Sequence, residues 1–133
     1  RANQFKVLLV LTLLFIITFS FTKLNAVEEN EKMVRLAKIS VDTLQLEKYN
    51  AALKEQMTKA VSLEPGVLTY YAVASKKNPS EITILEIYAD TNAYKAHIAT
   101  PHFKKYKETV KNMVKSLELV DVNLIGAATK PNQ

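Results

Sequence analysis

The sequence predicts an α+β fold with the element order β-α-β-β-α-β, and three observations carry that expectation. Two stretches with apolar residues at helical spacing each separate runs that read as strands. The two middle strands are joined by a short polar turn, Lys76-Lys77-Asn78-Pro79-Ser80, and so form a hairpin. Helix punctuation agrees with both: Pro65-Gly66 ends the first helix, and Thr100-Pro101 starts the last. This order is the split βαβ, or ferredoxin-like, plan: a four-stranded antiparallel sheet with its helices on one face.

Each element has its own justification. Residues 34–41 (VRLAKISV) alternate as a strand, with Ala37, Ile39 and Val41 on one face. Asp42 with Gln45 three residues later is a capping-box pair. Leu46, Tyr49, Leu53, Met57 and Ala60 then recur as the buried stripe of a helix. Residues 67–75 (VLTYYAVAS) and 82–89 (ITILEIYA) are β-branched and aromatic strands. Asp90 caps a short helix running through His97, and Thr100 caps the next, with Phe103, Tyr106, Val110, Met113 and Leu117 as its stripe. Residues 118–125 (ELVDVNLI) supply the last strand.

The two middle strands are apolar on both faces: Ile82, Ile84, Leu85 and Ile87 point both ways. Helices can cover one face of such a sheet. A second copy of the same sheet is the economical cover for the other, so a homodimer is expected.

The leading segment has a different character. Arg1 and Lys6 precede an apolar run, residues 7–21, which is short for a membrane span of about 20 residues. With Asn25-Ala26 after it, the pattern is that of a secretory signal peptide over residues 1–26, the alternative being an uncleaved N-terminal anchor through residues 7–21. Residues 27–32 form a charged linker, 33–126 the domain and 127–133 a C-terminal tail. Export to a periplasmic or extracellular space follows as an expectation. Without Arg1, Lys6 and Lys23, 15 basic residues face 13 acidic ones, so nucleic acid is not an expected partner. The chain has no cysteine, hence no disulfide framework and no thiolate chemistry.

Chemistry concentrates in residues 85–103. Both histidines of the chain, His97 and His102, lie there, flanking the helix start Thr100-Pro101 and following a strand with a lone carboxylate, Glu86. At the second position of a helix, imidazolium at His102 is disfavoured by the helix dipole, which leaves a neutral imidazole able to act as a base. His97 ends the preceding helix and either caps its carbonyls or faces a cavity. Glu86 and Tyr88 share a strand face, and a carboxylate among Ile84, Leu85 and Ile87 needs a partner, with Arg35 or Lys38 the candidates. Tyr88, Tyr71, Tyr106 and Phe103, with Tyr49 and Tyr94, are candidate cavity walls. No His-Glu-x-x-His occurs and no metal centre is expected. Phosphate loops, dinucleotide fingerprints and nucleophile elbows are absent too.

The run Glu86-Ile87-Tyr88, a short Ala-containing helix, then His97-Ile98-Ala99-Thr100-Pro101-His102-Phe103 resembles the signature of the antibiotic biosynthesis monooxygenase (ABM) domain family, over residues 33–126. The resemblance implies a dimeric α+β barrel made from two sheets. It implies a cofactor-independent monooxygenase acting on a small quinol-like or polyphenolic compound, with His97 or His102 as base and Tyr88, Glu86, Phe103, Tyr71 and Tyr106 around the substrate. Haem-degrading relatives of this fold use an Asn, a Trp and a His where this chain has Ile39, Tyr88 and Lys107, so haem breakdown is not expected. Two alternatives remain open: an isomerase of a small dicarbonyl compound, whose known example shares a similar His-x-x-Thr-Pro-His segment, and a non-catalytic exported dimer that binds a small ligand.

Overall fold

A computed structural model describes residues 31–131; the expected signal peptide or anchor, most of the expected linker at 27–32 and the end of the expected tail lie outside the described residues. Four strands, β1 (Met33–Val41), β2 (Val67–Ala74), β3 (Glu81–Tyr88) and β4 (Val114–Val122), make one antiparallel sheet in the order β2-β3-β1-β4. A 3-10 turn (Thr43–Gln45) leads into helix α1 (Leu46–Leu63), and helices α2 (Thr91–Ala99) and α3 (Pro101–Val110) follow β3. The expected order β-α-β-β-α-β is present, with the second helical segment divided at Thr100. No helix among the described residues is long and apolar enough to cross a membrane.

Strand alternation gives the sheet two unlike faces. Ala37, Ile39 and Val41 of β1, with Ile82 and Ile84 of β3, face Tyr49 and Leu53 of α1 and Val110 of α3 to form the main core. The opposite face carries Leu36 and Leu85, paired across β1 and β3, together with Tyr71 and Val73 of β2. Tyr71 and Val73 are well exposed.

Two local features differ from the sequence expectation. The register of β2 on β3 shifts between Val67 and Thr69: Val67 pairs with Tyr88, but Thr69 already pairs with Ile87. The extra residue is a β-bulge that inverts the facing of all that follows, so Tyr70 points inward opposite Glu86 and Tyr71 points outward. The second difference is at the end of α3. The helix stops at Val110, Met113 lies in a turn, and Leu117 belongs to β4, which runs 114–122 rather than 118–125. The turn is pinned by Met113 N–H donating to Val110 O (2.8 Å) and by Asp42 N–H donating to Met113 O (2.8 Å). The free edge of β1 then pairs with β4 from Val114 onward, satisfying backbone groups that helical continuation would leave open.

Asp42 therefore caps without a reciprocal box. Its carboxylate accepts from Leu44 N–H (3.0 Å) and from the Gln45 amide (3.3 Å), and that amide also donates to Asn112 O (3.1 Å). At the other end of α1, Glu64 precedes Pro65 and is extended (φ −112°, ψ 107°), as the proline ring requires of its predecessor. Its side chain thus leaves the helix axis and turns toward α2. Gly66 comes next, packed so closely on α2 that an added Cβ would sit 2.5 Å from Ala93 Cβ. Gly66→Ala is expected to push α2 off the sheet end and cost about 1–3 kcal/mol through overpacking, measured as a lowered midpoint in thermal or urea unfolding.

Candidate active site

The inner sheet face and the helices do not close completely on each other. Between them lies a cavity of about 400 Å³ whose walls include Arg35, Tyr70, Glu86 and Tyr88 from the sheet and Phe103 and Tyr106 from α3. Its size is that of an ordinary small-molecule site. Of the expected wall residues, Tyr88, Glu86, Phe103, Tyr106 and Tyr94 are there. Tyr71 is not: it lies on the outer face of the sheet, 60% exposed, and the bulge puts Tyr70 in its place. Tyr49 is fully buried in the core, where its hydroxyl shares a 2.8 Å hydrogen bond with that of Tyr106.

Neither histidine forms the cavity wall itself. His97 is 0% exposed and stands directly behind Tyr70 and Tyr88, its ring edge-on to Phe103 at 4.8 Å between centroids. His102 lines a shallower cleft between α1 and α3. What joins them is Glu64. Its carboxylate lies 2.9 Å from His97 Nδ1 and 2.7 Å from His102 Nε2. An ionised carboxylate can only accept, so each of these nitrogens carries a proton. His97 Nε2 is then the free lone pair of a neutral ring, and it faces the Tyr70 hydroxyl at 3.0 Å and the Gln56 amide at 3.4 Å. Burial holds the His97 pKa below the usual histidine value, against the opposing pull of Glu64.

Polar groups continue from Tyr70 along the cavity wall. The Tyr70 and Tyr88 hydroxyls are 3.0 Å apart, and Tyr88 donates to Glu86 Oε2 at 2.9 Å. Burial pushes the Tyr70, Tyr88 and Tyr106 hydroxyls well above the normal phenol range, so all three remain protonated. Burial also raises the Glu86 carboxyl, opposed by the Tyr88 hydrogen bond and the charge of Arg35. The expected ion pair of Glu86 with Arg35 or Lys38 does not form. Arg35 binds Asp121 at 2.7 Å and lies 4.4 Å over the Tyr94 ring, while Lys38 pairs with Glu118. Asp121 and Glu118 lie on β4, directly opposite those residues on β1, and being exposed they are the cheaper carboxylates to keep charged.

Sequence reasoning thus missed Glu64, Tyr70 and Gln56 as site residues. Gln56 is 3% exposed and occupies the α1 stripe beside Leu53 and Ala60, where Met57 was expected and is only half-buried. A polar residue in an apolar stripe was one available signal. A carboxylate at a helix C-terminus, where the dipole disfavours it, was another.

Comparison with known proteins agrees with this architecture. Residues 33–109 match the family model described as antibiotic biosynthesis monooxygenase. A provisionally assigned antibiotic biosynthesis monooxygenase from Bacteroides thetaiotaomicron is 56% identical over 75% of this chain and 95% of its own, with a TM-score of 0.72. A provisionally assigned monooxygenase from Lactobacillus acidophilus is 36% identical over 68% of this chain but only 43% of its own (TM-score 0.66). A Nitrosomonas europaea protein with the same provisional assignment as the first, 21% identical over 72% of this chain and 92% of its own (TM-score 0.68), shares the fold. A search of curated proteins finds no match.

The raised Glu86 pKa has a stability consequence. A carboxyl that binds its proton more tightly folded than unfolded loses stability as pH rises from the ordinary carboxylate value to the folded one. Glu86→Gln keeps an acceptor for Tyr88 and removes that loss. The variant should melt a few degrees higher than the parent at pH 7, and the gap should close below about pH 4, as checked by calorimetry across pH.

Proposed function

This chain belongs to the antibiotic biosynthesis monooxygenase family, and on that premise we propose that it oxidises a small quinol-like or polyphenolic compound with molecular oxygen, using no metal, flavin or nicotinamide. The observation that carries this reading is the chain Glu64–His97–Tyr70, which ends on the cavity wall. A substrate hydroxyl hydrogen-bonded to Tyr70 gives up its proton as Tyr70 passes its own to His97 Nε2. Tyr70 hands the proton on and does not keep the charge, because its phenolate is strongly disfavoured in this setting. The imidazolium formed is offset by Glu64 at 2.9 Å. Arg35 on the same wall, although paired with Asp121, keeps its guanidinium beside the cavity, where it favours the developing substrate anion.

The deprotonated ring is electron-rich enough to reduce oxygen directly. Oxygen bonds to a ring carbon, the O–O bond breaks, and His97 returns its proton through Tyr70 to the departing oxygen. Quinol plus O₂ gives hydroxyquinone plus water, with every atom and electron accounted for. In this reading Tyr70 touches the substrate, His97 acts through it and Glu64 fixes the His97 tautomer.

The reading includes a homodimer. The outer sheet face presents Leu36, Leu85, Tyr71 and Val73, an apolar surface on the side of the sheet away from the core that α1 and α3 cover among the described residues. Sedimentation should report a dimer; a stable monomer would contradict it.

Oxygen uptake with a panel of quinols is the functional test. Tyr70→Phe and His97→Gln should each lower turnover by about two to four orders of magnitude with the dimer intact. Unchanged turnover in Tyr70→Phe would remove the relay. Absence of oxygen uptake with every quinol would remove the monooxygenase reading itself.

A further inference from the structure

Glu64, His97 and His102 come from three different helix ends: the C-terminus of α1, the last turn of α2 and the first turn of α3. Each offers one ligand atom, and the three atoms lie within 4.8 Å of one another. We propose that this cluster is a binding site for a divalent ion of the zinc class, held by one carboxylate oxygen and two imidazole nitrogens.

The donor set is the first argument. Two histidines and one carboxylate are a recurrent protein complement for zinc, with further positions left open. A tetrahedral ion at about 2.0–2.1 Å from each donor keeps the donors about 3.3 Å apart. The contacts of 2.7 and 2.9 Å made by Glu64 need to open by a few tenths of an ångström, and the histidine nitrogens, within 4.8 Å of each other, need to settle at that spacing. Rotation of the glutamate and of His102, 12% and 14% exposed, can supply this while His97 stays fixed in its buried position.

The second argument is charge. Glu64 is almost enclosed, yet among the described residues its hydrogen-bond partners are two imidazoles and it forms no ion pair with a lysine or arginine. The nearest lysines of the adjoining cleft, Lys59 and Lys105, are both held by Glu55. A divalent ion would meet the enclosed negative charge, and the His102 cleft gives it a way in.

Gln56 is compatible with an ion at this site. Its Oε1 is buried and has no hydrogen-bond partner among the described residues, while its amide nitrogen sits 3.4 Å from His97 Nε2. An ion on Nδ1 forces the His97 proton onto Nε2. A half-turn of the Gln56 amide then gives the orphaned oxygen that proton as its donor. The amide therefore keeps one hydrogen bond to His97 Nε2 in either tautomer, and an ion on Nδ1 costs Gln56 no partner.

An ion here lies behind the cavity wall and touches no substrate. It takes away the lone pair that receives the Tyr70 proton, so occupancy would switch the relay off. That consequence rests on the function proposed above; the site does not.

The test is titration of metal-stripped full-length protein with Zn²⁺ against a chromophoric chelator, with Co²⁺ absorption as a report on coordination. One equivalent per chain is expected. His102→Gln, which keeps a donor to Glu64 but cannot complete the set, should weaken binding at least about tenfold, as should Glu64→Gln. Circular dichroism confirms folding of each variant, and His102→Gln stays decisive if Glu64→Gln fails to fold. Lack of stoichiometric binding, or binding that neither substitution weakens, overturns the site. Binding with quinol turnover unaffected keeps the site and removes His97 from the reaction. No binding, with turnover still dependent on Tyr70 and His97, removes the site and keeps the reaction.

Discussion

The Glu64 carboxylate is the constraint on which the site depends. A nearly buried anion must be met by donors, and here two imidazoles from two other helices meet it. That requirement fixes where α2 ends and α3 begins relative to α1. It also fixes a tautomer: with Nδ1–H on Glu64, His97 turns its lone pair toward Tyr70. Behind this lies a backbone cause. Pro65 holds Glu64 extended, and Gly66 lets α2 approach within a distance that no side chain would permit.

The cavity obtains its polarity from neutral groups. Tyrosine hydroxyls that burial keeps protonated line one wall, with Tyr70 and Tyr88 side by side and Tyr88 donating to Glu86. Arg35 explains why the two carboxylates near it behave differently. It is committed to Asp121, whose pKa falls through that hydrogen bond, while Glu86 keeps a hydroxyl partner and its pKa rises by burial. One arginine cannot serve both, and the exposed carboxylate holds its charge at less desolvation cost.

The two-sided apolar pattern of the middle strands has a structural counterpart. Ile82 and Ile84 enter the core beneath the helices, and Leu85 faces the other way beside Leu36 of β1. The bulge after Val67 sends Tyr71 to that outer face as well, so a residue expected at the substrate contributes instead to the surface opposite it.

The sequence by itself determined the element order, the sheet, the helix punctuation and the position of the His97–Phe103 segment at the sheet end. These depend on local periodicity, proline and capping chemistry, which are written in neighbouring residues. The resemblance of residues 86–103 to the family signature also marked Tyr88, Glu86, Phe103 and Tyr106 as candidate cavity walls, and strand alternation put Glu86 and Tyr88 on one face. Only the tertiary structure decided the partners. Glu64 lies 33 residues from His97 and 38 from His102, and no local pattern connects them. Whether Tyr70 or Tyr71 faces inward turned on a single inserted residue in the pairing with β3, and the end of α3 turned on the free edge of β1. Register and edge satisfaction are properties of two strands together, and a chain read one segment at a time does not contain them.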